Sequence, residues 1–171
     1  MTSVQPGGPV TVREATRADL LGVFRIEKAS FPQPWPYRAF ERFLGEPGFL
    51  VATGGGAATA GTDGTEGTGS GAGDGIAGYV VADATPNHGR PLGHLKDLAV
   101  APDRRGAGIG ATLLERVLAT LAAHAVKLEV RADNEPALAL YRRFGFTVRN
   151  TVPGYYVDGE DALVMVRDAT E

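Results

Sequence analysis

Regular patterning begins at Val10-Thr11-Val12-Arg13-Glu14, where apolar and polar positions alternate as on a half-buried strand. From Ala18 the period lengthens. Leu20, Leu21, Val23, Phe24 and Ile26 form a stripe along one side of a helix that ends near Lys28. Pro32, Pro34 and Pro36 forbid helix over the next stretch, and Pro36 is placed to open another, with Phe40, Phe43 and Leu44 on one face. Strands are predicted at Phe49–Ala52, Ile76–Ala82, Gly93–Val100, Val126–Arg131, Phe146–Val152 and Ala162–Arg167. Helices are predicted over Ala111–His124 and Asn134–Phe144, the second ended by Gly145. The order β-α-α-β-β-β-α-β-α-β-β predicts an α/β fold, a mixed sheet with helices on both faces.

Gly54 to Gly75 breaks the pattern. Ten of its 22 residues are glycine and the rest are mostly Ala, Thr, Ser, Asp and Glu. Such a segment cannot bury enough apolar area to offset its ordering entropy, so it is expected to be a flexible insertion between two strands. The 171 residues then form one domain, with its core in 10–167 and the insertion at 54–75.

Composition narrows the chemistry. There is no cysteine, which excludes disulfides, thiolate metal sites and a cysteine nucleophile. Three separated histidines give no metal-ligand spacing, so no metal is expected. A net charge of −3 speaks against a nucleic-acid partner. The absence of a long apolar run or a signal-like start predicts a cytoplasmic protein with no membrane association.

Candidate chemistry concentrates after Val100. Arg104-Arg105-Gly106-Ala107-Gly108-Ile109-Gly110-Ala111 leads straight into a helix. Glycine lets backbone N–H groups turn toward an anion, and the helix start adds unpaired N–H groups and a positive dipole end. A Walker loop is excluded because no lysine follows Gly110. Gly106-x-Gly108-x-x-Ala111, with Glu129 downstream, also satisfies a dinucleotide fingerprint. Five residues separate that motif from its strand, where the fingerprint should follow almost directly.

Arg105-x-x-Gly108-x-Gly110 resembles the signature of the GNAT N-acetyltransferase superfamily, flanked as there by Leu98-Ala99-Val100 and Leu113-Leu114. Leu128-Glu129-Val130-Arg131, Asn134, Ala137, Leu140-Tyr141 and Gly145-Phe146 are similar to the family's second half. Glu27 to Phe31 with Trp35, and Gly154 to Ala162 with Met165, resemble the RimI-like branch and its archaeal and eukaryotic N-terminal acetyltransferase relatives. The resemblance implies the GNAT fold, with a mostly antiparallel central sheet, and acetyl-CoA as donor. It implies that the pyrophosphate sits on Arg105, Gly106, Ala107, Gly108, Ile109, Gly110 and Ala111. The pantetheine would pair with Leu98, Ala99 and Val100, and Asn134 would contact the same arm.

Acetyl transfer from a thioester to an amine needs a proton taken from the ammonium and one given to the departing thiolate. Strand alternation puts Lys127, Glu129 and Arg131 on one face. On that ground alone, Glu129 is a surface glutamate paired to a neighbour; the resemblance makes it the base. Tyr141 lies 12 residues later on the next helix, where it can pack against Leu138 and Phe144. A phenol is protonated at neutral pH, and the resemblance makes Tyr141 the acid. For the acceptor, Phe31, Pro32 and Trp35 offer an apolar wall, and Tyr155 and Tyr156 offer hydroxyls to a peptide backbone. The resemblance at both ends of the chain implies a protein N-terminus as acceptor, with a ribosomal-protein alanine foremost. A lysine or small-amine acetyltransferase, or a non-catalytic acyl-CoA or nucleotide binder, stands as the alternative.

Overall fold

The computed structural model describes residues 10–54 and 75–168. The expected insertion therefore lies, but for its two end glycines, outside the described residues. The strands are β1 (Val10–Glu14), β2 (Phe49–Gly54), β3 (Ile76–Thr85), β4 (Leu92–Val100), β5 (Ala125–Arg131), β6 (Thr147–Val152) and β7 (Ala162–Asp168). The helices are α1 (Leu20–Ser30), α2 (Tyr37–Glu41), α3 (Ile109–Leu121) and α4 (Glu135–Arg143). The predicted order holds throughout.

The strands form one seven-stranded sheet in the order β1-β2-β3-β4-β5-β7-β6. Every neighbouring pair is antiparallel except β4 and β5. These two run parallel only from Leu92–Leu95 against Ala125–Leu128. Beyond that point β4 continues to Val100 and β5 to Arg131 with no strand between them. The sheet splits there, and the split frames the site.

Alternation along the central strands feeds two cores. Leu50, Ala52, Val80, Ala82, Leu95 and Leu128 face α3 and α4, where Leu113, Leu114 and Val117 are fully buried. Val51, Tyr79, Val81 and Ala99 face α1 and α2, against Leu20, Val23, Ile26 and Phe40. Leu95 and Ala99 lie four residues apart on β4, yet they belong to opposite faces. Val81 pairs with Asp97 and Ala82 with Leu95, so Lys96 is the extra residue of a β-bulge. The bulge reverses the alternation, and residues on either side of it at odd spacing share a face.

Helix ends differ from expectation in small ways with local causes. The first helix opens with a 3-10 turn, Arg17–Asp19, where the Asp19 carboxylate accepts from the Thr16 N–H (2.7 Å) and from both ends of the Arg13 guanidinium (2.7 and 2.9 Å). α2 is only five residues long, so Phe43 and Leu44 lie in the turns after it. α3 begins two residues earlier than expected and stops at Leu121, because Ala122 turns left-handed (φ 45°) and the His124 N–H goes to Pro91 O (2.7 Å) at the entry to β5.

Candidate active site

The split between β4 and β5 opens two cavities that share one throat. The first, about 170 Å³, lies between the α1–α2 loop and the end of β5. The second, about 470 Å³, lies between the end of β4, the glycine loop and α4. Phe31, Leu98, Asn134, Ala137 and Tyr141 line both.

The second cavity is a backbone cradle. Gly106 (φ 85°) and Gly108 (φ 80°) adopt left-handed conformations that side chains oppose, and Gly108 caps α3. No backbone acceptor among the described residues engages the N–H groups of Gly106 through Ala111; the first such bond is Thr112 N–H to Gly108 O, 3.0 Å. A run of free N–H groups at the start of a 13-residue helix suits a pyrophosphate. Leu98, Ala99 and Val100 line the wall. Their edge toward β5 has no strand partner, which leaves room for an extended arm. Ala107 does not reach the cavity lining. Arg105 is exposed at the rim of this cavity, and its side chain donates to Val100 O (3.1 Å) and Ser30 Oγ (3.1 Å). Asn134 lines both cavities while its side chain caps α4, accepting from the Ala137 N–H at 3.3 Å.

Glu129 faces the first cavity from β5. Its Oε2 is 2.7 Å from His94 Nε2 and its Oε1 is 3.7 Å from Lys127 Nζ. Of the two neighbours considered for it, Lys127 is present and Arg131 is not. Nothing in the sequence pattern marks His94. Its signal lies in the parallel register, which sets His94 opposite Lys127 and so beside Glu129. Tyr141 reaches the throat from α4, with its ring edge-on to Phe146 at 5.8 Å between centroids. Its hydroxyl has no hydrogen-bond partner among the described residues. Burial, then the negative charge of Asp97, pushes its pKa above the usual phenol value, so it holds its proton at neutral pH.

The α1–α2 loop walls the first cavity with Phe31, Pro32, Gln33 and Trp35. Trp35 stacks on Phe43 (6.0 Å) and lies 5.4 Å from Phe40. Tyr156 closes the opposite side, its pKa pushed up to about 12 by burial first. Tyr155 lines neither cavity; it is half exposed and packs edge-on against Tyr156 at 5.0 Å. Arg131 fixes the loop after β6. It donates to Asp158 (2.7 and 3.2 Å) and Asp133 (3.1 and 3.4 Å), and its guanidinium stacks 4.9 Å from the Tyr156 ring.

Beneath the loop lies a second group that the sequence does not reveal. Glu27, buried in α1, accepts from the Trp35 N–H at 3.0 Å and from the Tyr79 hydroxyl; that hydroxyl also lies 3.2 Å from Asp97 Oδ2. Burial, then the neighbouring Glu27, pushes the Asp97 pKa well above the carboxyl range. The described residues contain no cluster able to hold a metal ion and no helix long and apolar enough to cross a membrane.

Several known proteins similar to this chain are acetyltransferases. The chain is 35% identical to the N-alpha-acetyltransferase RimI of Mycobacterium tuberculosis, over 94% of each chain. It is 30% identical to an N-alpha-acetyltransferase of Saccharolobus solfataricus, again over 94% of each. The crystal structure of the ribosomal-protein-S18-alanine N-acetyltransferase from Escherichia coli superposes with a TM-score of 0.72 at 26% identity, covering 95% of this chain and 96% of that one. Residues 20–146 match the model of the acetyltransferase (GNAT) family, and the chain belongs to that family.

Proposed function

We propose that this GNAT enzyme is an N-alpha-acetyltransferase that moves the acetyl group of acetyl-CoA to the amine of a protein N-terminus, with a ribosomal-protein alanine as the first acceptor to try. The observation that carries the reading is the placement of a hydrogen-bonded carboxylate, Glu129 with His94, in the first cavity and of an unpartnered phenol, Tyr141, in the throat. The names of its full-length relatives support the choice of an N-terminal amine.

The donor supplies an activated acetyl carbon and a thiolate leaving group. The N–H groups of Gly106 and of Gly108 to Ala111 hold its pyrophosphate, and the free edge of Leu98–Val100 orients its extended arm. Glu129, steadied by His94, accepts a proton from the acceptor ammonium as the C–N bond forms. Tyr141 gives its proton to sulfur as the C–S bond breaks. An α-amine titrates near pH 8 and a lysine above 10, so a single carboxylate–imidazole pair is adequate for the former. Phe31, Pro32 and Trp35 receive the first residue, and Tyr156 meets the peptide beyond it.

The test offers acetyl-CoA with peptides that differ in their first two residues, beside one whose N-terminus is blocked and which carries an internal lysine, and beside a small primary amine. Mass spectrometry should find acetyl on free N-termini with a first-residue preference. Product on the internal lysine alone, or on a small amine alone, overturns the N-terminal assignment.

A further inference from the structure

Glu27, Tyr79 and Asp97 have no part in the proton transfers above, yet they join four parts of the molecule. Glu27 comes from α1, Tyr79 from β3 and Asp97 from β4, and one Glu27 oxygen accepts from the Trp35 backbone in the acceptor wall. Glu27 is 2% exposed and the Tyr79 ring is fully enclosed, held edge-on to Phe40 at 5.6 Å. Both carboxyls line the first cavity. Placing Asp97 here is the work of the Lys96 bulge, which turns it toward α1.

No ion pair with Glu27 or Asp97 occurs among the described residues. The other ionisable groups facing the same cavity are Lys96 from β4, Glu129 and Arg131 from β5, Tyr141 from α4, and Tyr156 from the loop after β6. Lys96 is engaged by Asp83 and by the Phe43 ring, and Arg131 by Asp133 and Asp158. Two carboxyls on one phenol, with no cation to balance them, are mutually compatible only while one carries a proton.

We infer that Glu27, Tyr79 and Asp97 form a positioning clamp for the acceptor wall, holding the loop Phe31–Pro36 through the backbone of Trp35 for as long as Asp97 keeps its proton. The clamp acts through the wall and touches no reacting atom. Losing the Asp97 proton adds a buried negative charge beside Glu27 and Tyr79 beneath the loop, and the Trp35 contact loosens. Acceptor affinity then falls as pH rises, while the cradle for the donor, which these residues do not line, is unaffected.

This inference rests on the acetyltransferase reading, and the experiment separates the two. Release of CoA thiol is followed across the neutral to alkaline range with two acceptors, an N-terminal peptide and a small primary amine. The chain has no cysteine, so the thiol signal belongs to CoA alone. In Tyr79→Phe, which keeps the ring and removes the bridge, acceptor KM should rise about tenfold while acetyl-CoA KM stays within about twofold. In Asp97→Asn the alkaline rise of acceptor KM seen in the parent should flatten; titration of the acceptor amine is common to both proteins and cancels. Identical pH profiles for parent and Asp97→Asn overturn the clamp. So does a folded Tyr79→Phe with unchanged acceptor KM, or with both KM values raised alike. Turnover of the small amine alone overturns the N-terminal reading and leaves the clamp to be judged on that amine's KM. No turnover with either acceptor overturns both.

Discussion

The second cavity presents backbone to its ligand, whereas the first presents side chains. The cradle is one continuous stretch, Gly106 to Ala111, where two glycines turn left-handed before a helix and no backbone acceptor among the described residues engages the N–H groups. The acceptor side is assembled from α1, the loop after it, β4, β5, α4 and the loop after β6. A backbone cradle depends on a local conformation and tolerates changes in neighbouring side chains. An assembled cavity depends on register, bulges and buried hydrogen bonds far from one another in sequence. The two sides should therefore fail in different kinetic constants.

The sharpest break is at Glu129. Glu129→Gln keeps the size of the side chain and removes its basicity, so kcat should fall about 10²–10⁴-fold with acetyl-CoA binding preserved, measured by steady-state kinetics and donor titration. Equal loss of turnover and donor affinity would erase the division. Tyr141→Phe keeps the packing against Phe146 and removes the proton, and kcat should fall about 10²-fold. An acetyl donor with a better leaving group should need that proton less and narrow the deficit. Gly108→Val forces a branched residue into φ 80°, where the strain is about 1–3 kcal/mol. Acetyl-CoA KM should rise about tenfold with acceptor KM unmoved, the mirror image of a change on the acceptor side.

The smallest effect lies outside both cavities. Burial alone would raise the Asp19 pKa, but Arg13 and the Thr16 N–H together hold the carboxylate below its ordinary value. A depressed folded-state pKa means the pair contributes stability above the unfolded value of about 4, and loses it as pH falls through the folded value. Arg13→Ala should lower stability at neutral pH by about 1–2 kcal/mol, read by denaturant titration, and the gap to the parent should close in acid. Neither kinetic constant should respond.

The same contrast governs what the chain discloses by its order of residues. The strands, the helices and the glycine loop follow from local periodicity and spacing, so the element order and the glycine turn are legible in the sequence alone, while Leu98–Val100 and Asn134 come with the family resemblance. Glu129 and Tyr141 come with the family resemblance, since a strand glutamate beside Lys127 reads equally well as a surface ion pair. His94 and Asp97 are not legible. Alternation along β4 sends residues three apart to opposite faces, and only the bulge at Lys96 brings both to the α1 side. Glu27 looks like one more polar position on an amphipathic helix, because its partners Tyr79 and Asp97 are 52 and 70 positions away. Tyr155 fails for the opposite reason. It sits next to Tyr156 in sequence, but the loop turns only one of the pair into the cavity.

The parting of β4 from β5 leaves a sheet edge in the interior of the protein, where most folds place one only at the rim. Exposed edges invite other chains to add a strand, with aggregation as the hazard. Here β3 stands behind that edge and the α1–α2 loop and α4 stand on either side, so a folded protein cannot approach it. On the proposed reading, the slender, amide-bearing arm of the donor would slide in and complete the pairing. The gap would then work as a sieve for shape, admitting a thread and refusing a sheet.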